Sequence, residues 1–256
     1  MTKDPFTLEA EEHCPALVAD APIESVSPRY KFQSSATIVD GMRAHGWNFV
    51  GVLSVRVRTR TARFAPHVMT FEKGTTPEGY TPRIVIRNGH DGATGIQVRL
   101  GFAKNNDVFV AGQEFFGLNL RHMNAGVGLL GEFLAQADRN IDTLYHQVEA
   151  MRHQVLTESE KAALWRRAQL ARWNDPDKSR AARSMDLATI LEGVGETLFD
   201  VFRRYQQVIL EGGFYKDVEN KKYRKVRAIR SGVREVKFRQ EIWRAATDFM
   251  RRTVAA

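Results

Sequence analysis

The sequence predicts an α+β fold, with an antiparallel or mixed sheet in the N-terminal half and a helical C-terminal half packed on it. Three observations carry the prediction. Short runs between Trp47 and Leu120 are rich in β-branched and aromatic residues and alternate apolar with polar, the period of a strand. Turn dipeptides crowd the same half, with Asn88-Gly89 and Asp91-Gly92 inside five residues. Beyond Gly126 the apolar period changes to that of an amphipathic helix.

Taken in order, residues 1–28 hold four of the eight prolines and little periodicity, so they read as a mobile acidic tail. Residues 29–125 read as the α+β region. Ser34-Ser35 offers an N-cap for a helix over Ala36–His45, with Ile38, Val39 and Met42 on one face. Trp47 to Arg58 reads as a strand and Ala62 to Phe71 as its partner, with Pro66 arguing for an edge or a bulge. Strands over Pro82–Arg87 and Ile96–Phe102 flank the motif Asn88-Gly89-His90-Asp91-Gly92-Ala93-Thr94-Gly95. The motif reads either as an elaborate turn or as a polar site at the sheet edge. Asp107–Ala111 and Phe115–Leu120 suggest a further hairpin.

Residues 126–256 read as helical, and the chain as one integrated domain. Glu132–Leu156 is a long helix. Thr157 and Glu160 form a capping box for a second helix, which runs to about Trp173. Met185–Glu211 carries a continuous apolar stripe from Leu187 to Ile209 and stops at Gly212-Gly213. The basic tract after it does not read as one helix: Tyr223, Val226, Ile229, Val233 and Val236 share a face, and a break is expected near Ser231-Gly232.

Composition narrows the function classes. The chain has 256 residues, 43% hydrophobic and 27% charged, with no apolar run near the roughly 20 residues that cross a bilayer. The first 28 residues are acidic and lack the basic start and apolar core of a signal peptide. A single cysteine, Cys14, excludes an intramolecular disulfide, and a cytosolic setting fits. The net charge of +8 is concentrated toward the C-terminus, where Lys221–Arg252 holds 12 basic residues against 3 acidic ones. Such a tract points to a polyanion, most often nucleic acid. Its candidate contacts are Lys221, Lys222, Arg224, Lys225, Arg227, Arg230, Arg234, Lys237 and Arg239. Tyr215, Tyr223, Phe238 and Trp243 lie among them as stacking candidates, although Tyr223 and Trp243 fall on apolar stripes that suit a core. On the sheet, Arg56, Arg58 and Arg60 recur every second residue and would share one strand face, with Arg63 just beyond. A phosphate backbone would satisfy such a row; so would plain solvent on an exposed edge.

His67, His90 and His122, with Asp91, have the donor chemistry of a transition-metal site, but none has ligand-like local spacing. No metal or other cofactor is expected. His90-Asp91 is the polar pair of the motif, and no nucleophile stands beside it. Gly126-Val127-Gly128-Leu129-Leu130-Gly131 matches G-x-G-x-x-G, but no βαβ unit surrounds it, so it reads as a flexible strand-to-helix connector.

The motif Asn88-Gly89-His90-Asp91-Gly92 resembles the N-S-H-D-G-S segment of an uncharacterised phage and plasmid protein family. The resemblance continues through Arg121-His122, Phe202-Arg203-Arg204-Tyr205-Gln206-Gln207, Glu211-Gly212-Gly213, Arg227-Ala228-Ile229-Arg230 and Ile242-Trp243, and spans roughly residues 29 to 250. The chain departs from the family pattern at Gly89, where Ser is usual, and at Gln207, where Glu is. It also lacks the family's Cys-Asn-Gly segment, since Phe102–Gly112 holds no cysteine. The resemblance implies a mobile-element protein and no catalytic residues. The expectation is therefore a non-enzymatic nucleic-acid-binding protein, favouring single-stranded DNA in recombination or replication. Two alternatives stay open: an anti-defence protein docking on a host nuclease complex, and a metal-dependent nucleic-acid enzyme built on His67, His90, Asp91 and His122. No membrane partner is expected, and the helical stripes would also serve self-association into a homo-oligomer.

Overall fold

The structure is a computed structural model that describes residues 6–7, 12–54, 59–76, 79–104, 107–111, 117–120, 122, 126–173, 175–216 and 222–254. It is an α+β protein that divides into two compact units, 1–141 with 231–233 and 142–230 with 234–256. The first unit thus takes in the sheet region and continues to residue 141.

The first unit is built on an antiparallel sheet. Helix α1 (Ser35–Ala44) starts where the cap was expected, Ser34 accepting the Thr37 N–H. Strands β1 (Asn48–Ser54), β2 (His67–Glu72), β3 (Thr81–Asn88), β4 (Ile96–Lys104) and β5 (Asp107–Val110) pair in sequence order. Strand β6 (Gly117–Leu120) also pairs with β4. The expected β5–β6 hairpin is not formed. β4 is nine residues long, so β5 takes Gly101–Lys104 and β6 takes Ile96–Arg99 along the same strand.

The partner of β1 is shorter than expected, because Thr59–Phe64 winds into a 3-10 turn and Pro66, which has no N–H for a ladder, sits just ahead of β2. One sheet face carries Phe49, Met69, Phe71, Ile84, Ile86, Val98, Leu100, Phe102 and Phe109, all buried, by direct cross-strand register. At about 25 cal/mol per Å² of apolar surface, such aromatic and branched side chains are worth roughly 2 kcal/mol each when buried.

Residues 12–28 are not a mobile tail. Pro15–Val18 forms a 3-10 turn, and Cys14, Ala16, Leu17 and Ala19 are buried. Proline at the first position of that turn has no N–H to leave unsatisfied, so the prolines that suggested disorder permit packing here.

The second unit is helical with one small sheet. Helix α2 (Gly126–His153), whose residues up to 141 belong to the first unit, begins within the G-x-G-x-x-G stretch, so that stretch is helix and not a loose connector. Helix α3 (Glu158–Arg172) opens on the expected capping box. The predicted 185–211 helix is broken. After the short α4 (Arg180–Arg183) come α5 (Leu187–Leu191) and α6 (Leu198–Glu211). Gly193, at φ +71°, turns the chain out of the helix, and Thr197 caps a new one by accepting the Asp200 N–H.

Gly212, at φ +68°, ends α6 as expected. A two-stranded hairpin then follows, β7 (Gly213–Lys216) and β8 (Tyr223–Val226). This hairpin replaces the helical face expected from Tyr223 onward. Helix α7 (Gly232–Val254) starts at the predicted break. The core of the unit joins Leu164, Trp165, Phe202, Tyr205, Phe238, Ile242 and Trp243. Trp165 packs on Tyr205 at 4.9 Å between ring centroids and Phe202 on Trp243 at 5.8 Å. Among the described residues no helix is long and apolar enough to cross a membrane.

Candidate functional site

In the first unit the β3–β4 connection is an ordered polar turn. The Asp91 carboxylate folds back on its own loop: Oδ1 accepts the N–H groups of Ala93 at 3.0 Å and Thr94 at 2.7 Å, and Oδ2 accepts the Thr94 hydroxyl at 2.9 Å. Asn88 is buried and donates from Nδ2 to the Gln33 carbonyl at 3.2 Å and to Ser35 Oγ at 3.1 Å. His67 Nδ1 faces the Ala65 carbonyl at 3.0 Å, so the proton sits there and Nε2 accepts from Ser35 Oγ at 2.7 Å. His90 donates from Nε2 to the Ala16 carbonyl at 3.1 Å.

Folding thus converges the histidines that are far apart in sequence. The rings of His67 and His90 lie 5.6 Å apart, and His122 stacks on Tyr30 at 4.7 Å. A cavity of about 510 Å³ opens beside them, lined by Ser25, Tyr30, Asp91, Thr94 and His122 among others.

The electrostatics of this cluster favour structure over proton transfer. Burial pushes His67 down to about 4; burial, then the neighbouring His67, pushes His90 to about 4; and burial lowers His122. All three are neutral imidazoles at pH 7. Burial, helped by the Asp91 charge, raises the Tyr30 phenol to about 12. Among the described residues no group of three or more His, Cys, Asp or Glu side chains is placed to hold a metal ion. The motif ties the segment 12–35 to the sheet through His90, Asn88 and His67, and does so with their hydrogen-bonding atoms.

The basic candidates divide. Arg56, Arg58 and Lys221 lie outside the described residues. Arg60 falls in the 3-10 turn, past the end of β1, so it does not continue a strand face. Arg63 is paired with Asp20 at 2.8 Å, a partner from the segment read as a tail. The sheet carries a different arginine row that the sequence reading missed. By register Arg83, Arg87 and Arg99 share the face opposite the aromatic core. Arg83 is tied to Glu72 across the strands, and the buried Arg99 donates to the Val98 carbonyl and to Asn119 Oδ1, each at 2.8 Å. That row is internally satisfied at two of its three members.

In the second unit the basic candidates gather around the β7–β8 hairpin. The register pairs Phe214 with Lys225 and Lys216 with Tyr223, which puts these positions on one face of the ribbon. Phe214 is 68% exposed and Tyr223 71% exposed, against the sequence reading that placed Tyr223 in a core. Lys225 Nζ stands 5.7 Å from the centre of the Phe214 ring, a cation–π contact. Phe238 and Trp243 are buried and unavailable for stacking.

Lys222, Lys225, Arg227, Arg230, Arg234 and Lys237 are exposed, and Arg224 is half-buried. Arg172 from the end of α3 donates to the Arg227 carbonyl at 2.7 Å, which brings a further guanidinium to the segment after β8. Its proton affinity is lowered by burial and by the charge of Arg234, so these cations are close enough to feel one another. Arg239 is paired with Glu235 one turn back on α7, at 2.8 Å. Phe214 was missed in the sequence. Its signal was the Gly212-Gly213 pair followed by alternation through Lys216, which reads as a strand once the helix is ended.

Residues 22–230 match the model of a family described as "Domain of unknown function (DUF932)". No solved structure matches the chain.

Proposed function

The chain belongs to the DUF932 family, and from that premise we propose that it is a nucleic-acid-binding protein that holds single strands on the β7–β8 hairpin and the basic segment after it. The observation that carries the reading is the pair of solvent-exposed rings, Phe214 and Tyr223, set among Lys222, Lys225, Arg227 and Arg230. Two large exposed rings on one ribbon face offer an apolar surface that a partner can cover. Bases stack on such rings for about 1–3 kcal/mol each, while neighbouring Lys and Arg follow the phosphates. Bases inside a duplex are already stacked on one another, so this chemistry selects unpaired strands. The handling of DNA in recombination or replication of a mobile element is the setting that the phage and plasmid resemblance implies.

The test is oligonucleotide binding by fluorescence anisotropy with the double variant Phe214→Ala/Tyr223→Ala. Affinity for single-stranded DNA should fall by a factor of about 10 or more, as expected for losing at least one stacking contact, with the thermal midpoint unchanged. Equal affinity of the intact and double-variant proteins, or a clear preference for duplex, overturns the reading.

A further inference from the structure

The hairpin does not stand alone. A cavity of about 270 Å³ lies within the second unit, and its walls include Asp186, Thr189, Arg204, Phe214 and Tyr223. Two of its walls are therefore the same two exposed rings, and Ile190 and Tyr215 complete the apolar part of the lining. Its polar walls come from the α4–α5 segment and from α6. Asp186 Oδ2 accepts the Thr189 N–H at 3.1 Å and the Thr189 hydroxyl at 2.8 Å, which fixes that carboxylate in place. Arg204 is fixed by donating from Nε to the Ile190 carbonyl at 2.9 Å and from Nη1 to Gln207 Oε1 at 3.3 Å. A guanidinium has five N–H donors, so these two bonds leave others for a ligand.

Size, shape and polarity narrow the occupant. The volume sits at the lower end of small-molecule sites, which start at roughly 300 Å³, and suits one flat ring system. Aromatic walls take a π-face. A carboxylate only accepts hydrogen bonds, so it favours an edge bearing an amino group and repels an edge bearing a carbonyl in the same position. A guanidinium beside it donates to a ring nitrogen or carbonyl on that edge.

We propose that this cavity is a single-base pocket: it receives one unstacked, amino-bearing nucleobase of the strand bound on the hairpin, with Asp186 and Arg204 reading its edge. The proposal rests on the nucleic-acid reading above and adds to it a base preference. Cytosine carries an exocyclic amino group where thymine carries a carbonyl, so these two pyrimidines separate the pocket from general stacking. Neither oligomer needs self-pairing to be resolved at neutral pH.

The experiment compares oligodeoxycytidylate and oligodeoxythymidylate of about 12 nucleotides, a length within the usual site sizes, for the intact chain, for Asp186→Asn and for Lys225→Ala. The substitution to Asn keeps an N-cap of equal quality on α5, so folding is retained. The intact chain should bind the cytidylate about 5- to 20-fold more tightly, the lower part of the range for one correctly read base. Asp186→Asn should bring that ratio to about one, while Lys225→Ala should weaken both oligomers alike and keep the ratio. Equal binding of both oligomers by the intact chain, or a preference that survives Asp186→Asn, overturns the pocket and leaves the hairpin reading standing. Binding of neither oligomer at low salt overturns both.

Discussion

At the scale of single residues, the buried histidines make stability depend on pH in a definite direction. His67 and His90 titrate at about 4 when folded, against 6.5 when exposed. The unfolded chain therefore binds more protons between those values, and stability is complete above pH 6.5 and lost progressively as pH falls toward 4. The loss is on the order of 3 kcal/mol per histidine at most, at about 1.4 kcal/mol per pH unit. Urea midpoints recorded from pH 7.5 to 4 should fall through this window, and His90→Gln should flatten the curve. A pH-independent midpoint contradicts the burial of neutral imidazoles.

These residues were visible in the sequence as a polar cluster in one half of the chain. Their roles were not, because sequence shows neither the Ala16 and Ala65 carbonyls nor the Ser35 hydroxyl that bind them. Three scattered histidines look alike as ligands, bases or buttresses until their partners are placed.

At the scale of elements, local signals with a physical mechanism were readable and distant pairings were not. The Ser34 cap and the Thr157–Glu160 box lie within four residues of their partners and occur as expected. The box can be tested directly. Thr157 Oγ1 accepts the Glu160 N–H at 3.3 Å, and Glu160 Oε2 accepts the Thr157 N–H at 2.8 Å. Thr157→Ala should cost about 1 kcal/mol, read as a lower urea midpoint with an unchanged slope.

The apolar stripe from Leu187 to Ile209 is continuous in phase, so it concealed the break at Gly193 and the new cap at Thr197. Tyr223 to Val226 failed for the opposite reason. Four residues are compatible with either period, and only pairing with Gly213–Lys216 makes them a strand. The same pairing moved Tyr223 from a supposed core to an exposed face.

At the scale of the whole molecule, charge is the quantity on which the proposed nucleic-acid binding depends. The net charge of +8 and its C-terminal bias were legible from composition alone. Which cations are committed to internal partners was not: Arg63, Arg83, Arg167 and Arg239 each hold a carboxylate. Lys225, Arg227, Arg230, Arg234 and Lys237 are exposed cations on which the proposed phosphate contact would draw. Each phosphate neutralised on a single strand contributes a slope of about −0.7 to log affinity against log salt. Three to six contacts would give a slope between roughly −2 and −4. A titration from 50 to 300 mM salt, about the range where such slopes are measured, should return a value in that interval. Arg227→Ala/Arg230→Ala should make it shallower by roughly 1.4, whereas Arg63→Ala should leave it unchanged. A slope near zero for the intact chain is incompatible with phosphate contact.

The pairing of both β5 and β6 with β4 has a consequence for solubility. Two four-residue strands laid end to end close that margin of the sheet, with no long run of open amide groups for another chain to copy. On the opposite margin the register of β1 slips between Phe49 and Gly51, a bulge that spoils a straight template there. The sheet is thereby guarded against runaway strand addition at both margins by interruption of the strands themselves.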